Sequence, residues 1–359
     1  MMEHFIEQAK EQMKEQAQVT PVGQANIKVM GCGGAGNNMV NWLSNKGVKG
    51  AEIIAVNTDQ QHLEMTNAEK KYLLGKTLTR GLGCGGFPEK GAQAALEDSN
   101  ILKEYLRGAD MTFLCAGMGG GTGTGVAPVA AKIAKEMGSI VIGTVTMPFK
   151  IERARIDRAE MGLDRLRAHC DTVIVIDNNR LTQIAGNLPV QQAFAVANEL
   201  ISTMIRGIVE TIAVPSLVNL DFADVKAIMK NGGVAAIGIG SSDTNNRVDE
   251  AVSGALSNPL LDISYEGAQG ALLHIEGGED LTLDEVSRIG DLITEQMDID
   301  ANVIWGARIS PEMNGKLVVM TIMTGVNSPY LTGSAAVKAQ VASDKVSTML
   351  SDDLGIRMT

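Results

Sequence analysis

A chain of 359 residues can carry two domains, each with its own core. Hydrophobic residues at 45% and charged residues at 20% are ordinary for a soluble globular protein, while aromatics at 3% leave the core to Ala, Val, Ile, Leu and Met. A net charge of −11 with no Lys/Arg block argues against a nucleic-acid-binding face and makes contact between copies sensitive to salt and bound cations.

Residues 1–22 read as an N-terminal arm, polar and helical before Pro21. Its weak apolar stripe of Phe5, Ile6, Ala9 and Met13 suits docking on the body or a neighbour better than membrane contact, because its charges are mixed. The start lacks the charged-then-apolar layout of a signal peptide, and no apolar run reaches the about 18 residues of a membrane span. Direct membrane insertion is therefore not expected.

Strand-like runs at 26–33, 51–59, 111–118, 139–148 and 172–178 alternate with helical runs at 35–47, 88–108, 126–137 and 151–169. Pro88 stands at a favoured first helical position. Short apolar strands alternating with helices predict an α/β domain with a Rossmann-like parallel sheet covered on both faces. From Pro189 to Ile212, Phe194, Ala197, Ile201, Ile205, Ile208 and Ile212 recur at helical spacing, and Val196, Leu200, Met204 and Val209 widen the apolar face. This predicts a long central helix buried between two layers, ending at Pro215. Strands at 234–242, 270–278, 301–310 and 316–325 with intervening helices predict a smaller α+β domain, in which Thr282 and Glu285 make a capping box. The expected division is a nucleotide domain over 23–188, the central helix and the start of an acidic loop over 189–218, the second domain over 219–327, and a linker with a tail peptide over 328–359.

Cys32, Cys84, Cys115 and Cys170 form no C-x-x-C pair, which disfavours zinc and a disulfide framework. The first three lie beside Gly-rich or apolar runs and read as buried fillers of a reduced, cytoplasmic protein. His4, His62, His169 and His274 are scattered without a nucleophile motif and read as surface or core residues. The acidic pairs of 151–169 read as a solvated face.

Chemistry is signalled by glycine. Gly31-Cys32-Gly33-Gly34-Ala35-Gly36 follows a strand and opens a helix, where backbone N–H groups and the helix N-terminus favour a phosphate. With Asp59 at the next strand end, this alone would suit a dinucleotide-binding dehydrogenase. A second loop, Gly119-Gly120-Gly121-Thr122-Gly123-Thr124-Gly125, again joins strand to helix, and two cradles at neighbouring strand ends suit a triphosphate better than NAD. No Walker A sequence is present, since position 70 is Lys where a Gly is required before Gly75-Lys76-Thr77. A third loop, Gly81 to Pro88, is either a flap over the terminal phosphate or a surface loop.

The run 119–125, with GCGGAGNN, AVNTD, TRGLGCGG, VTMPF and NLDFADVKAIM in that order, resembles the tubulin/FtsZ family over about 23–327, and GCGGAGNN and TRGLG resemble its archaeal members. The resemblance implies a GTPase domain, a central helix and a smaller α+β domain. It implies GTP or GDP as ligand, with Mg²⁺ bridging the phosphates mostly through water. Carried over by position, Gly33, Gly34, Asn38 and the residues Gly119 to Gly125 hold the phosphates. Glu152 contacts the ribose, and Asn178 and Phe194 hold the guanine. Ala35, Asn57, Gly83, Cys84, Gly85, Arg155 and Asn198 belong to the same implied site. Two departures stand out. The family's usual Arg is Ile156 here, with Arg155 or Arg158 as substitutes. The family's Asp is Asn198, whose single carbonyl leaves guanine preference either weaker or held by other groups.

The stretch Asn219 to Asp224 reads first as a helix start, with Asp221 as N-cap and Asp224 in the first turn. The resemblance adds that Asn219, Asp221 and Asp224 enter the nucleotide pocket of the next subunit, where the carboxylates orient and polarise the attacking water. It implies a head-to-tail homopolymer for cytokinesis at a mid-cell site in the cytoplasm, with 346–359 as a peptide for a membrane-anchoring adaptor or a disordered end. A slowly hydrolysing regulatory or structural relative is the alternative.

Overall fold

The computed structural model describes residues 25–213, 217–218, 221–230, 233–257, 265, 268–295 and 297–326. The arm 1–22, the linker and tail 328–359, and Asn219 lie outside the described residues.

Six parallel strands build the first domain: β1 (Ile27–Cys32), β2 (Ala51–Asn57), β3 (Lys70–Leu73), β4 (Met111–Gly117), β5 (Ile140–Met147) and β6 (Thr172–Asp177). Their spatial order is β3-β2-β1-β4-β5-β6. Every residue of β1 is buried, as a strand covered on both faces requires. The helices between them are α1 (Gly33–Asn45), α2 (Gln60–Met65), α3 (Lys76–Thr79), α4 (Pro88–Glu97), α5 (Ser99–Leu106), α6 (Thr122–Glu136) and α7 (Ala154–Arg167). After β6 come α8 (Asn178–Ala185) and the central helix α9 (Val190–Ala213).

The second domain holds α10 (Phe222–Met229), β7 (Gly233–Ser242), α11 (Arg247–Leu256), β8 (Ala268–Gly277), α12 (Leu283–Thr294), β9 (Met297–Ile309) and β10 (Leu317–Thr324). Here β10 runs antiparallel to β7 and β8, while β8 and β9 are parallel, giving the mixed sheet expected. The two sheets join where Thr172 and Val173 of β6 pair with the first residues of β7. One core is continuous from Val29 and Phe113 through Ile205 of α9 to Ile322 of β10, so the two domains share buried surface along the central helix.

Three local differences from the sequence reading have identifiable causes. The helix expected over 88–108 breaks at Asp98, whose carboxylate accepts from Gly75 N at 2.7 Å and from Tyr72 Oη at 3.1 Å. The helix expected from 151 opens as a 3-10 turn at Lys150–Glu152, and Arg153 at φ 38° separates it from α7. The central helix is buried only from Ala197 onward, with Ile201, Ile205 and Ile208 inside. Near its start, Val190 is 72% and Phe194 42% exposed, because a cleft runs beside them.

Candidate nucleotide site

β1 and β4 are neighbours in space but not in sequence, with Cys32 beside Ala116. The strand order therefore reverses between them, and a crevice opens at their C-terminal ends, where α/β sheets receive ligands. The first two glycine loops leave these two strand ends. The N-termini of α1 and α6 begin there, so both helices direct unpaired N–H groups and positive potential at the crevice.

The glycines divide into two kinds. A Cβ at Gly33 would lie 2.7 Å from Gly123 N, so the first two loops touch. A Cβ at Gly121 would lie 2.6 Å from Cys84 Cβ, and one at Gly125 would lie 2.1 Å from Pro88 O. Those positions are glycine so that three backbones can meet. Gly120 faces open space, and Gly34 meets only His62 at 3.8 Å. Both border the crevice, so at these two positions the missing side chain leaves open space and no protein atom takes its place.

Two contiguous cavities occupy the crevice. One of about 490 Å³ is lined by Gly34, Ala35, Gly120 to Gly123, Glu152 and Arg155. The other, of about 930 Å³, is lined by Asn38, Trp42, His62, Gln191, Gln192 and Asn198 among others. Gly34, Ala35, Thr146, Asn178 and Phe194 border both. The first suits phosphates and ribose and the second a base, with Phe194 in an edge-to-face contact with Phe149 at 6.0 Å.

Several expected site residues stand behind the lining. Gly33, Gly119, Thr124 and Gly125 shape the loops but border neither cavity. Asn57 is buried, and its Oδ1 accepts from Thr58 N at 2.9 Å and Asp59 N at 3.2 Å. Thr58 in turn bonds Thr122 Oγ1 at 2.7 Å, fastening the β2 turn to the second loop. Gly83, Cys84 and Gly85 also lie outside the lining, and Cys84 is buried against Thr58 at 3.3 Å. Asp59 accepts from His62 N as the cap of α2 and does not border the crevice, which removes the ribose acid a dinucleotide site needs. Cys32 does border the phosphate side, but burial pushes its thiol up to about 12 and keeps it neutral.

The two candidate arginines separate cleanly. Arg155 lines the phosphate side and pairs with Glu152, whose other oxygen accepts from Phe149 N at 2.9 Å. Arg158 donates to Gly86 O and to Ala154 O, so it secures the third loop and leaves the cleft to Arg155. Asn198 borders the larger cavity, whose lining among the described residues contains no carboxylate. Asp221 caps α10 by accepting from Ala223 N at 3.1 Å, and Asp224 stands in its first turn; both are exposed and line neither cavity.

Trp42, His62, Thr146, Phe149, Gln191 and Gln192 line the crevice without having been expected there. His62 in particular is a wall residue, with its Nδ1 buried and unpartnered.

The family model described as the tubulin/FtsZ family GTPase domain matches residues 26–186, the part that carries the crevice. The model for the FtsZ family C-terminal domain matches 233–327. The chain belongs to the tubulin/FtsZ family. Cell division protein FtsZ 2 of Methanocaldococcus jannaschii is 60% identical, over 87% of this chain and 83% of that protein. Cell division protein FtsZ 2 of Halobacterium salinarum is 53% identical, over 88% of this chain and 80% of that protein. Among solved structures, an empty FtsZ dimer from M. jannaschii superposes with a TM-score of 0.79 at 46% identity, covering 89% of this chain and 92% of that one. As an FtsZ-type member, the chain is a GTP-binding and GTP-hydrolysing cytoskeletal protein that polymerises into filaments. No helix among the described residues is long and apolar enough to cross a membrane.

Proposed function

We propose that each hydrolytic centre is assembled from two copies of the chain, one holding GTP in the crevice and the next supplying Asp221 and Asp224. The observation that carries this reading is a shortage of carboxylates. Among the described residues Glu152 is the one carboxylate lining either cavity, and Arg155 already pairs with it. Asp221 and Asp224 are fixed by α10, face solvent and have no place in their own crevice.

In the proposed reaction, water attacks the γ-phosphorus of GTP and GDP leaves with its own oxygen. Backbone N–H groups of the 120–123 loop and the N-termini of α1 and α6 stabilise the charge on the phosphates. Asp221 and Asp224 of the neighbouring copy orient the attacking water, a contribution of positioning and electrostatics. A Mg²⁺ ion fits this lining as one held by the phosphates and water, since the cleft offers it no unpaired carboxylate; when bound, it neutralises phosphate charge. The contact joins unlike surfaces and so extends into an open filament. Assembly of this kind, in a chain related to cell division proteins, is proposed to serve cytokinesis at mid-cell.

The deciding variant is Asp221→Asn. Asn caps a helix about as well as Asp, so α10 and GTP binding survive while the charge is lost. GTP-dependent pelleting is expected to persist, with phosphate release reduced by about a hundredfold. Fast hydrolysis by wild-type protein too dilute to assemble overturns the shared centre.

A further inference from the structure

Beside the edge strand β3 lies a pocket of about 500 Å³ that shares no lining residue with the crevice. Leu63 and Leu73 give it apolar walls, and Lys71, Lys76 and Arg80 surround it, with Glu64 as the only acid among the described residues that line it. Lys71 donates to the carbonyls of Glu64 and Thr66 at 3.1 and 2.9 Å, and Lys76 lies 5.3 Å over the Tyr72 ring. Arg80 is held at φ 54°. Among the described residues none of the three cations has a carboxylate within ion-pair distance, whereas neighbouring Lys70 is neutralised by Glu52. Glu64 is engaged by Gln60 Nε2 at 2.7 Å. In a chain of net charge −11, three uncompensated cations around an apolar-walled pocket form a site for an acidic, apolar-tipped partner.

The chain carries such a tip. Ile299, in the first turn-out of β9, is 98% exposed, and exposed Asp298 and Asp300 flank it. Neither aspartate has an ion-pair partner among the described residues; Asp298 Oδ1 accepts only from Asp300 N, at 3.2 Å. β3 and β9 are the two opposite edges of the ten-stranded sheet. A contact that joins opposite edges of identical molecules is head-to-tail and leaves a free edge at each end of the assembly.

We propose that Ile299 of one copy seats between Leu63 and Leu73 of the next, with Asp298 and Asp300 facing Lys71, Lys76 and Arg80. The proposal rests on the head-to-tail reading above and names a pair of surfaces for it, separate from the residues that hold nucleotide.

Charge exchange tests it on the full chain by GTP-dependent sedimentation, with fluorescent GDP binding as the check on folding. The pair Lys76→Glu with Arg80→Glu, and the pair Asp298→Lys with Asp300→Lys, are each expected to raise the pelleting threshold about tenfold while GDP binding holds. Combining all four is expected to restore the threshold to within about threefold of wild type, as a direct pair requires. Ile299→Ser, at a position already in solvent, cannot unfold the monomer and is expected to raise the threshold severalfold. If wild type pellets with GTP and the variants share its threshold, or the combined variant is not rescued, the socket is overturned and the shared centre stands. If wild type fails to pellet with GTP, the assembly reading falls and the socket with it.

Discussion

Trp42 donates its indole N–H to Glu199 Oε2 at 2.7 Å, and Lys46, the residue that caps the C-terminus of α1, engages the other carboxylate oxygen. The helix that starts at the phosphate loop is thus fastened to the central helix beside Asn198. The Lys46 ammonium and the Trp42 N–H hold the Glu199 carboxyl below its ordinary value. A folded-state value lower than the unfolded one gives stability that is present at neutral pH and lost as the pH falls below about 4.3 and through the folded value. Glu199 is 48% exposed, so Lys46→Ala is expected to cost about 0.5 kcal/mol at pH 7. That loss should shrink toward zero in thermal melts at low pH. In a Trp305→Phe background, Trp42 fluorescence should report the same transition.

Phe194 is expected to carry much of the affinity for the base. It borders both cavities and is braced edge-on by Phe149 at 6.0 Å. Removing the ring forfeits a stacking surface worth about 1 to 1.5 kcal/mol, so Phe194→Ala should weaken GDP roughly five- to tenfold. Thermal stability should change little, because the side chain is 42% exposed. Displacement of a fluorescent guanine nucleotide measures the effect; unchanged affinity would place the base elsewhere.

What the sequence disclosed, and what it hid, follows from the range of each signal. The glycine loops and the buried strands are local patterns, so both cradles and the parallel sheet were legible. β3 was not, because Lys70-Lys71-Tyr72-Leu73 is four residues long and places two lysines on an exposed edge. The break at Asp98 depends on Gly75 and Tyr72, more than twenty residues away. Trp42 and His62 enter the crevice wall only because β1 sits between β2 and β4, a fact of strand order that no local pattern encodes. The 119–125 run reads in sequence as wholly a phosphate loop, yet Gly121, Gly123 and Gly125 meet neighbouring backbone. A sequence shows that side chains are absent without showing whether protein or ligand fills the space.

The two arginines after the 3-10 turn should separate by readout. Arg155 lines the phosphate side, so Arg155→Ala is expected to weaken GTP about tenfold and leave the melting temperature nearly unchanged. Arg158→Ala removes the donor to Gly86 O and frees the third loop from α7. Its expected signature is a stability loss of about 1 kcal/mol with a smaller change in affinity. Calorimetric titration and denaturant melts of both variants decide the assignment, and exchanged signatures would return the cleft to Arg158.

Adjacent glycines of the second loop should fail in opposite ways. A Cβ at Gly121 would meet Cys84 Cβ at 2.6 Å and Phe87 N at 3.0 Å, and the latter is backbone that cannot turn aside. Gly121→Ala is therefore expected to push the third loop off the second and to destabilise the fold by about 2 kcal/mol. At Gly120 a Cβ meets nothing within 4 Å in the protein, so Gly120→Ala should fold with wild-type stability. Gly120 borders the space lined by Glu152 and Arg155, where phosphates are expected. The added methyl group should lower nucleotide affinity by about tenfold or more, because close approach of backbone N–H groups to phosphate is lost. Paired thermal melts with and without GDP separate the two: Gly121→Ala lowers both curves, whereas Gly120→Ala loses only the shift that GDP confers. A full GDP shift in Gly120→Ala would mean that the open face of the second loop is not the phosphate cradle.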